Sequence, residues 1–352
     1  MSTTTTTNAH ILKTTATDHV NTGRVAPEVF KRAQDKIYGI KHEDWRDDFI
    51  GDGYVVVKSV ISAEKAESYR KRMFEYLKSH NSNFDINDRS TWVEQNLPVH
   101  TDHNIYYNYG CSHEDFLWDL RTEPGVIGPF SKLWDTEDLL VSFDGFNVSF
   151  PNRPDRVGAS PAWPHVDQSP LKEGLQCAQG IVSLSRSGPE DGSLVVLKGS
   201  HNLIAKFFNE EVKRETWSEA DVYRFTPEEY NWFLKHGCEM VKLEVEPGDL
   251  ILWDSRTIHW GAEPNSESDV IRSVVYASYT PVNFATVDTL KLKSEFFSQW
   301  MGTSHWAHDN LRPRRQIPRF ADGTPDPRNR AEPLRKPEMN DTILRFAGVI
   351  PY

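Results

Sequence analysis

From about residue 139 to about residue 282, turn residues cut the chain into short apolar runs, and this punctuation limits the fold more than any other feature. Leu139 to Phe150, Leu175 to Ser185, Ser193 to Leu197, Met240 to Val245, Leu250 to Trp253, Ile258 to Trp260 and Val270 to Tyr279 have strand-like lengths. Between them stand Glu190-Asp191-Gly192, Gly199-Ser200-His201 and Pro247-Gly248-Asp249, residues that reverse a chain. Asp144-Gly145 is expected to join a pair of strands inside the first run. Many short strands with such turns build a jelly roll or a related double-stranded barrel.

The flanks read as helical and irregular. Pro27 to Phe49 suggests one or two short helices. Ser62 can cap a helix over Ala63 to Ser79 that turns Ala66, Tyr69, Met73, Phe74 and Leu77 to one side. Gly125 to Trp134 looks helical, whereas residues 81–125 have no regular period. We expect a disordered Thr-rich tail over residues 1–25. Residues 26–352 then form a single domain, with a partly helical insertion at 203–236 and a Pro- and Arg-rich arm at 310–352. The arm should pair with the acidic body, and its end, Thr342 to Val349, should fold back near the site.

Composition excludes several roles. A net charge of -11 over 352 residues is wrong for a protein that must neutralise phosphates or an anionic membrane surface. Cys111, Cys177 and Cys238 are too few and too scattered for a disulfide framework, which fits a reducing compartment. With no secretory leader or membrane-length apolar run, the expected location is the cytoplasm, as a monomer or homodimer with a small-molecule substrate and no nucleic-acid or membrane partner.

The chemistry rests on His-x-Asp, a pair that points to one face of a strand and can grip a metal from one side. Four such pairs occur: His42/Asp44, His100/Asp102, His113/Asp115 and His165/Asp167. His42 lies in a charged run, while His100 and His113 lie in irregular sequence. Only His165 is followed by strands that lead to a distal histidine, His259, beyond Pro247-Gly248-Asp249. Two histidines and one carboxylate make the facial triad of non-haem iron(II) oxygenases, which leaves open coordination positions. Thirteen residues after His259, Arg272 sits within an apolar strand where a lone cation needs a partner. A dicarboxylate cosubstrate would supply one, because guanidinium binds carboxylate bidentately.

Four segments together resemble the phytanoyl-CoA dioxygenase family of Fe(II)/2-oxoglutarate oxygenases. They are Asp52-Gly53-Tyr54-Val55-Val56-Val57, Trp163-Pro164-His165-Val166-Asp167, Gly192 to His201, and Pro247-Gly248-Asp249 through His259 to Arg272. The resemblance implies a mainly β, cupin-like double-stranded β-helix with flanking α-helices. It implies His165, Asp167 and His259 as catalytic iron ligands, Arg272 as the anchor of 2-oxoglutarate and Asn147 as a second contact to it. Gln168, Trp163 and Trp260 would face the substrate. O2 would be consumed in oxidising a C–H bond, by hydroxylation, desaturation or oxidative cyclisation. Chain length and arm resemble fungal members of specialised metabolism, and a free amino acid such as valine is one substrate they suggest. Lys198 stands where the family pattern has proline. An acyl-CoA hydroxylase and, from another class, a cupin-type metal-dependent isomerase or hydrolase are the alternatives.

Overall fold

A computed structural model describes residues 25–156, 161–314 and 316–352. Of the tail expected over residues 1–25, only Val25 is among them, so that expectation lies outside the described residues. Arg315 of the arm does too.

The described residues contain thirteen strands: β1 Tyr54–Val57, β2 Ile105–Tyr106, β3 Leu139–Val141, β4 Phe146–Ser149, β5 His165–Val166, β6 Ala178–Ser183, β7 Ser193–Lys198, β8 Tyr223–Arg224, β9 Glu239–Lys242, β10 Leu250–Asp254, β11 His259–Ala262, β12 Arg272–Tyr276 and β13 Tyr279–Pro281. All pairings are antiparallel. A six-stranded sheet has the order β1-β10-β6-β12-β4-β2, and a five-stranded sheet has β8-β5-β11-β7-β9. Strands β3 and β13 form a small third sheet. The helices are α1 Pro27–Tyr38, α2 Trp45–Asp52, α3 Ala63–His80, α4 Asp115–Arg121, α5 Pro124–Trp134, α6 Ile204–Glu211, α7 Pro227–Lys235, α8 Val287–Ser298 and α9 Asp341–Phe346. This is the jelly roll with flanking helices that the turn pattern predicts.

Strands β6, β10 and β4 are buried at every position, so their sequences show little polar alternation. Alternation persists underneath. On the larger sheet Leu250, Leu252, Val182 and Val275 face the cluster built with α3, α4 and α5. Their neighbours Ile251, Trp253, Ile181 and Val274 face inward and meet Leu194 and Val196 of β7. Outside the smaller sheet, Val166 and Leu197 pack with Phe207, Phe208 and Phe233 of the 203–236 insertion. Covering both outer faces turns half-polar strands into apolar ones. Pro227 opens α7, where Thr226 and Glu229 form a capping box.

Three expectations are corrected. Leu139 to Phe150 is no hairpin: β3 pairs with β13 while β4 pairs with β12 and β2, so the chain changes sheets at Asp144-Gly145. Val270 to Tyr279 is two strands for the same reason, with Ser278 bonded to Ser142 where the chain crosses over. The chain end does not reach the site. Instead α9 packs beside β3, with the Phe346 ring 5.6 Å from Tyr279. The arginine arm meets the body as expected, through Arg330 to Glu114 at 3.6 Å and Arg335 to Glu75 at 3.3 Å. No helix of the described residues is long and apolar enough to cross a membrane.

Polar groups inside this core are matched to one protonation state. His113 Nε2 donates to the Met301 carbonyl, and Nδ1 accepts from the Trp118 indole N–H. A second proton would face that N–H. Burial holds the His113 pKa down at about 3, and buried His308 likewise at about 3. The unfolded chain therefore binds more protons below the ordinary histidine value of 6.5, and stability falls as pH drops from there towards 3. Each group contributes about 1.4 kcal/mol per pH unit in that window. Thermal melts from about pH 7.5 to about pH 5 should show a falling midpoint. The fall should be shallower in His113→Asn, which offers Trp118 an acceptor but does not titrate.

Candidate active site

Strand β11 meets β5 through a single pair, His259 opposite His165. Residues opposed in this way have Cβ atoms about 5 Å apart on one face. Asp167 lies two residues beyond His165, and its backbone N–H donates to the Ser255 carbonyl at 2.9 Å, which continues the strand path. The ligand atoms of His165, Asp167 and His259 all fall within 4.8 Å of one another. The Asp167 carboxylate lies 3.6 Å from His165 Nε2 and 3.3 Å from His259 Nε2.

Surrounding groups set the donor atoms. His165 Nδ1 lies 3.1 Å from the Trp163 carbonyl and His259 Nδ1 lies 2.9 Å from the Thr257 carbonyl. A carbonyl only accepts, so each Nδ1 carries the proton and each Nε2 presents a lone pair to the site. Burial and the neighbouring His259 hold the His165 pKa down at about 3, so the ring is neutral. Burial alone would raise the Asp167 pKa, but His165, His305 and His259 around it keep the carboxyl well below its usual range. Imidazole nitrogens and one carboxylate on one side of a cavity fit a divalent iron ion. Gln179 Nε2 donates to Asp167 Oδ2 at 3.0 Å. Gln179→Leu should weaken iron binding about 10- to 100-fold, the usual cost of losing such a support. Competition with a chelator measures it.

Opposite the triad, β12 and β4 of the larger sheet turn Arg272 and Asn147 inward. Arg272 is 6% exposed, and its Nη1 donates to Asn147 Oδ1 at 2.9 Å. That amide is fixed, since its Nδ2 donates to the His103 carbonyl and Ser149 Oγ donates to Oδ1. Burial lowers the Arg272 pKa, but a guanidinium stays charged at neutral pH. No carboxylate among the described residues lies within ion-pair distance of it. Burial also pushes the Tyr276 phenol up to about 12, so it is a neutral hydroxyl beside the guanidinium.

These residues line a cavity of about 340 Å³. Trp163 lines it as well. Gln168 and Trp260 do not, which corrects their assignment. Gln168 donates to the Lys172 and Gly174 carbonyls and accepts from Ser255 Oγ, so it braces the loop after Asp167. Trp260 follows an inward-facing residue and therefore points outward, with its ring 5.9 Å from Tyr230. The remaining His-x-Asp histidines are bonded to backbone carbonyls: His42 to Ile37, His100 to Pro98 and His113 to Met301.

The wall that sequence reading missed is the segment after α8, where Ser304, His305, Trp306, Asn310, Arg312 and Arg314 all border the cavity. Its position is fixed by buried polar pairs. Lys172 bridges Asp221 at 3.0 Å and Asp309 at 3.2 Å, and Asn310 bonds Asp221. The only local signal is a density of histidine and tryptophan without an apolar period.

The model of the family described as phytanoyl-CoA dioxygenase (PhyH) matches residues 49–274, a span that includes the triad and Arg272. The chain belongs to the phytanoyl-CoA dioxygenase family. This makes it an Fe(II)- and 2-oxoglutarate-dependent oxygenase, with iron as cofactor and 2-oxoglutarate and O2 as cosubstrates. Among curated relatives of this family member, Ava biosynthesis cluster protein O of Aspergillus versicolor is 38% identical over 302 residues, 84% of this chain and 96% of that protein. Two solved structures are more distant. The epimerase SnoN in complex with Fe3+, alpha ketoglutarate and nogalamycin RO is 18% identical, with a TM-score of 0.47, covering 90% of this chain and 98% of that one. EctD from S. alaskensis is 14% identical, with a TM-score of 0.47, covering 70% and 79%.

Proposed function

We propose that His165, Asp167 and His259 hold the iron, and that Arg272, oriented by Asn147, receives the far carboxylate of 2-oxoglutarate. The reaction is then oxidation of a C–H bond in a small polar molecule, by hydroxylation, desaturation or oxidative cyclisation. The observation that carries this is Arg272: a buried guanidinium facing three metal-type ligands, with no carboxylate of its own. A buried charge of that kind is costly unless a ligand completes it.

Iron with 2-oxoglutarate and O2 supplies the oxidising chemistry when bound. The protein's share is placement. Arg272 and the ligand set come from different sheets and line one cavity, where a five-carbon dicarboxylate would be held at both ends. The Trp163, Trp253 and Trp306 rings exclude water around it.

The lining favours a small substrate. Asp144 and Glu263 stand among Arg224, Arg312 and Arg314, a mixed lining that suits a zwitterion such as a free amino acid. The phosphates of an acyl-CoA need a basic groove, which such a lining does not provide. The cytoplasmic location and the monomeric or homodimeric state belong to the same reading. Anaerobic protein loaded with Fe(II) tests it, by the visible charge-transfer band that 2-oxoglutarate should produce. With iron bound and no band, the cupin-type isomerase or hydrolase takes its place.

A further inference from the structure

One feature of the cavity extends beyond the ligand set and the cosubstrate anchor: a flat stack of three aromatic rings. The Trp163 indole lies on the His165 imidazole, with centroids 4.2 Å apart and planes 8° from parallel. On its other face lies the His103 imidazole, at 3.8 Å and 11°. All three line the cavity. Most aromatic contacts elsewhere in this protein are tilted or edge-on, such as Trp118 on Phe297 at 86° and Tyr76 on Phe146 at 89°. The stack thus keeps an electron-rich indole in face contact with a ring that binds the metal, with no aliphatic side chain between them. The Arg224 guanidinium, 5.8 Å from the indole, adds a further constraint.

We propose that Trp163 is the residue this enzyme hydroxylates on itself when O2 and 2-oxoglutarate react without substrate. This rests on the oxygenase reading above. The net reaction balances without an outside reductant. 2-Oxoglutarate loses its first carbon as CO2 and becomes succinate, with one oxygen atom of O2 entering the new carboxylate. The other oxygen atom is inserted into an indole C–H bond, so that C–H breaks, C–O forms and the hydrogen ends on the hydroxyl. A substrate seated in the cavity offers its own C–H bond instead and spares the ring.

Trp253 is the competing target. It borders the same cavity, but its ring centroid is 5.3 Å from that of His259, at 59°, and its residue is only 2% exposed. Trp163 has the closer and flatter contact with a ligand ring, and it is half-buried where Trp253 is buried.

The test uses full-length protein with Fe(II), 2-oxoglutarate and heavy-isotope dioxygen, without added substrate. Succinate is measured, and the digested protein is mapped by mass spectrometry. The expected result is one heavy oxygen atom on the Trp163 peptide, rising with succinate towards one per chain and absent when 2-oxoglutarate is omitted. Succinate with Trp163 unlabelled overturns the proposal and leaves the oxygenase reading standing. So does label on Trp253 instead, or label that appears without 2-oxoglutarate. If no succinate forms without substrate, the proposal fails, while the oxygenase reading is decided separately by the charge-transfer band.

Discussion

Arg272→Met should raise the 2-oxoglutarate concentration needed for half-maximal turnover by roughly 30-fold to several thousand-fold, with iron still bound. The range follows from the cost of truncating one partner of a buried, hydrogen-bonded charge pair, about 2–5 kcal/mol, with a tenfold change for every 1.4 kcal/mol or so. Methionine keeps much of the volume but not the fork that grips a carboxylate. The folded protein should tolerate the change, because the variant no longer buries a cation whose hydrogen-bonding neighbours, Asn147 and Tyr276, are both neutral. Arg272→Lys should fall between the two, since it retains the charge and loses the bidentate geometry. Titrating 2-oxoglutarate against the charge-transfer band, with iron content measured alongside, separates the effects. An unchanged titration would remove Arg272 from the cosubstrate site.

Much of this arrangement is legible in the sequence because it depends on local periods. His165 and Asp167 are two apart, turn residues mark the strand ends, and a charged residue within an apolar strand stands out. Trp260 was equally legible: a residue beside an inward ligand on a strand must point outward, and alternation outweighs proximity in sequence. The rest depends on partners far along the chain. Nothing local at Asp144-Gly145 distinguishes a hairpin from a change of sheet, because β4 is positioned by β12 more than a hundred residues later. Strand β2 is two residues long, too short for any period to show. The 304–314 wall borders the cavity through Lys172, Asp221, Asp309 and Asn310, which meet only after three distant segments have folded. Irregular segments held by side-chain pairs leave no periodic trace.

Asp167→Asn should abolish turnover through loss of iron rather than loss of fold. The amide matches the carboxylate in shape but is neutral, so the ion would face only uncharged donors in a buried site. Its hydrogen bonding also works against the metal. Gln179 Nε2 donates to Asp167 Oδ2 at 3.0 Å, and an asparagine that keeps its oxygen on Gln179 turns its NH2 towards the imidazoles. An NH2 group there cannot act as a ligand. The loss of iron affinity should exceed the roughly 10- to 100-fold expected for Gln179→Leu, which leaves all three ligands in place. Iron retained after gel filtration, iron affinity in a chelator competition and the thermal midpoint together decide the matter. Substoichiometric iron with a midpoint close to that of the metal-free wild type is the expected outcome. Full iron retention with turnover intact would mean that the carboxylate is not a ligand, and the open positions would then have to be sought on another face of the cavity.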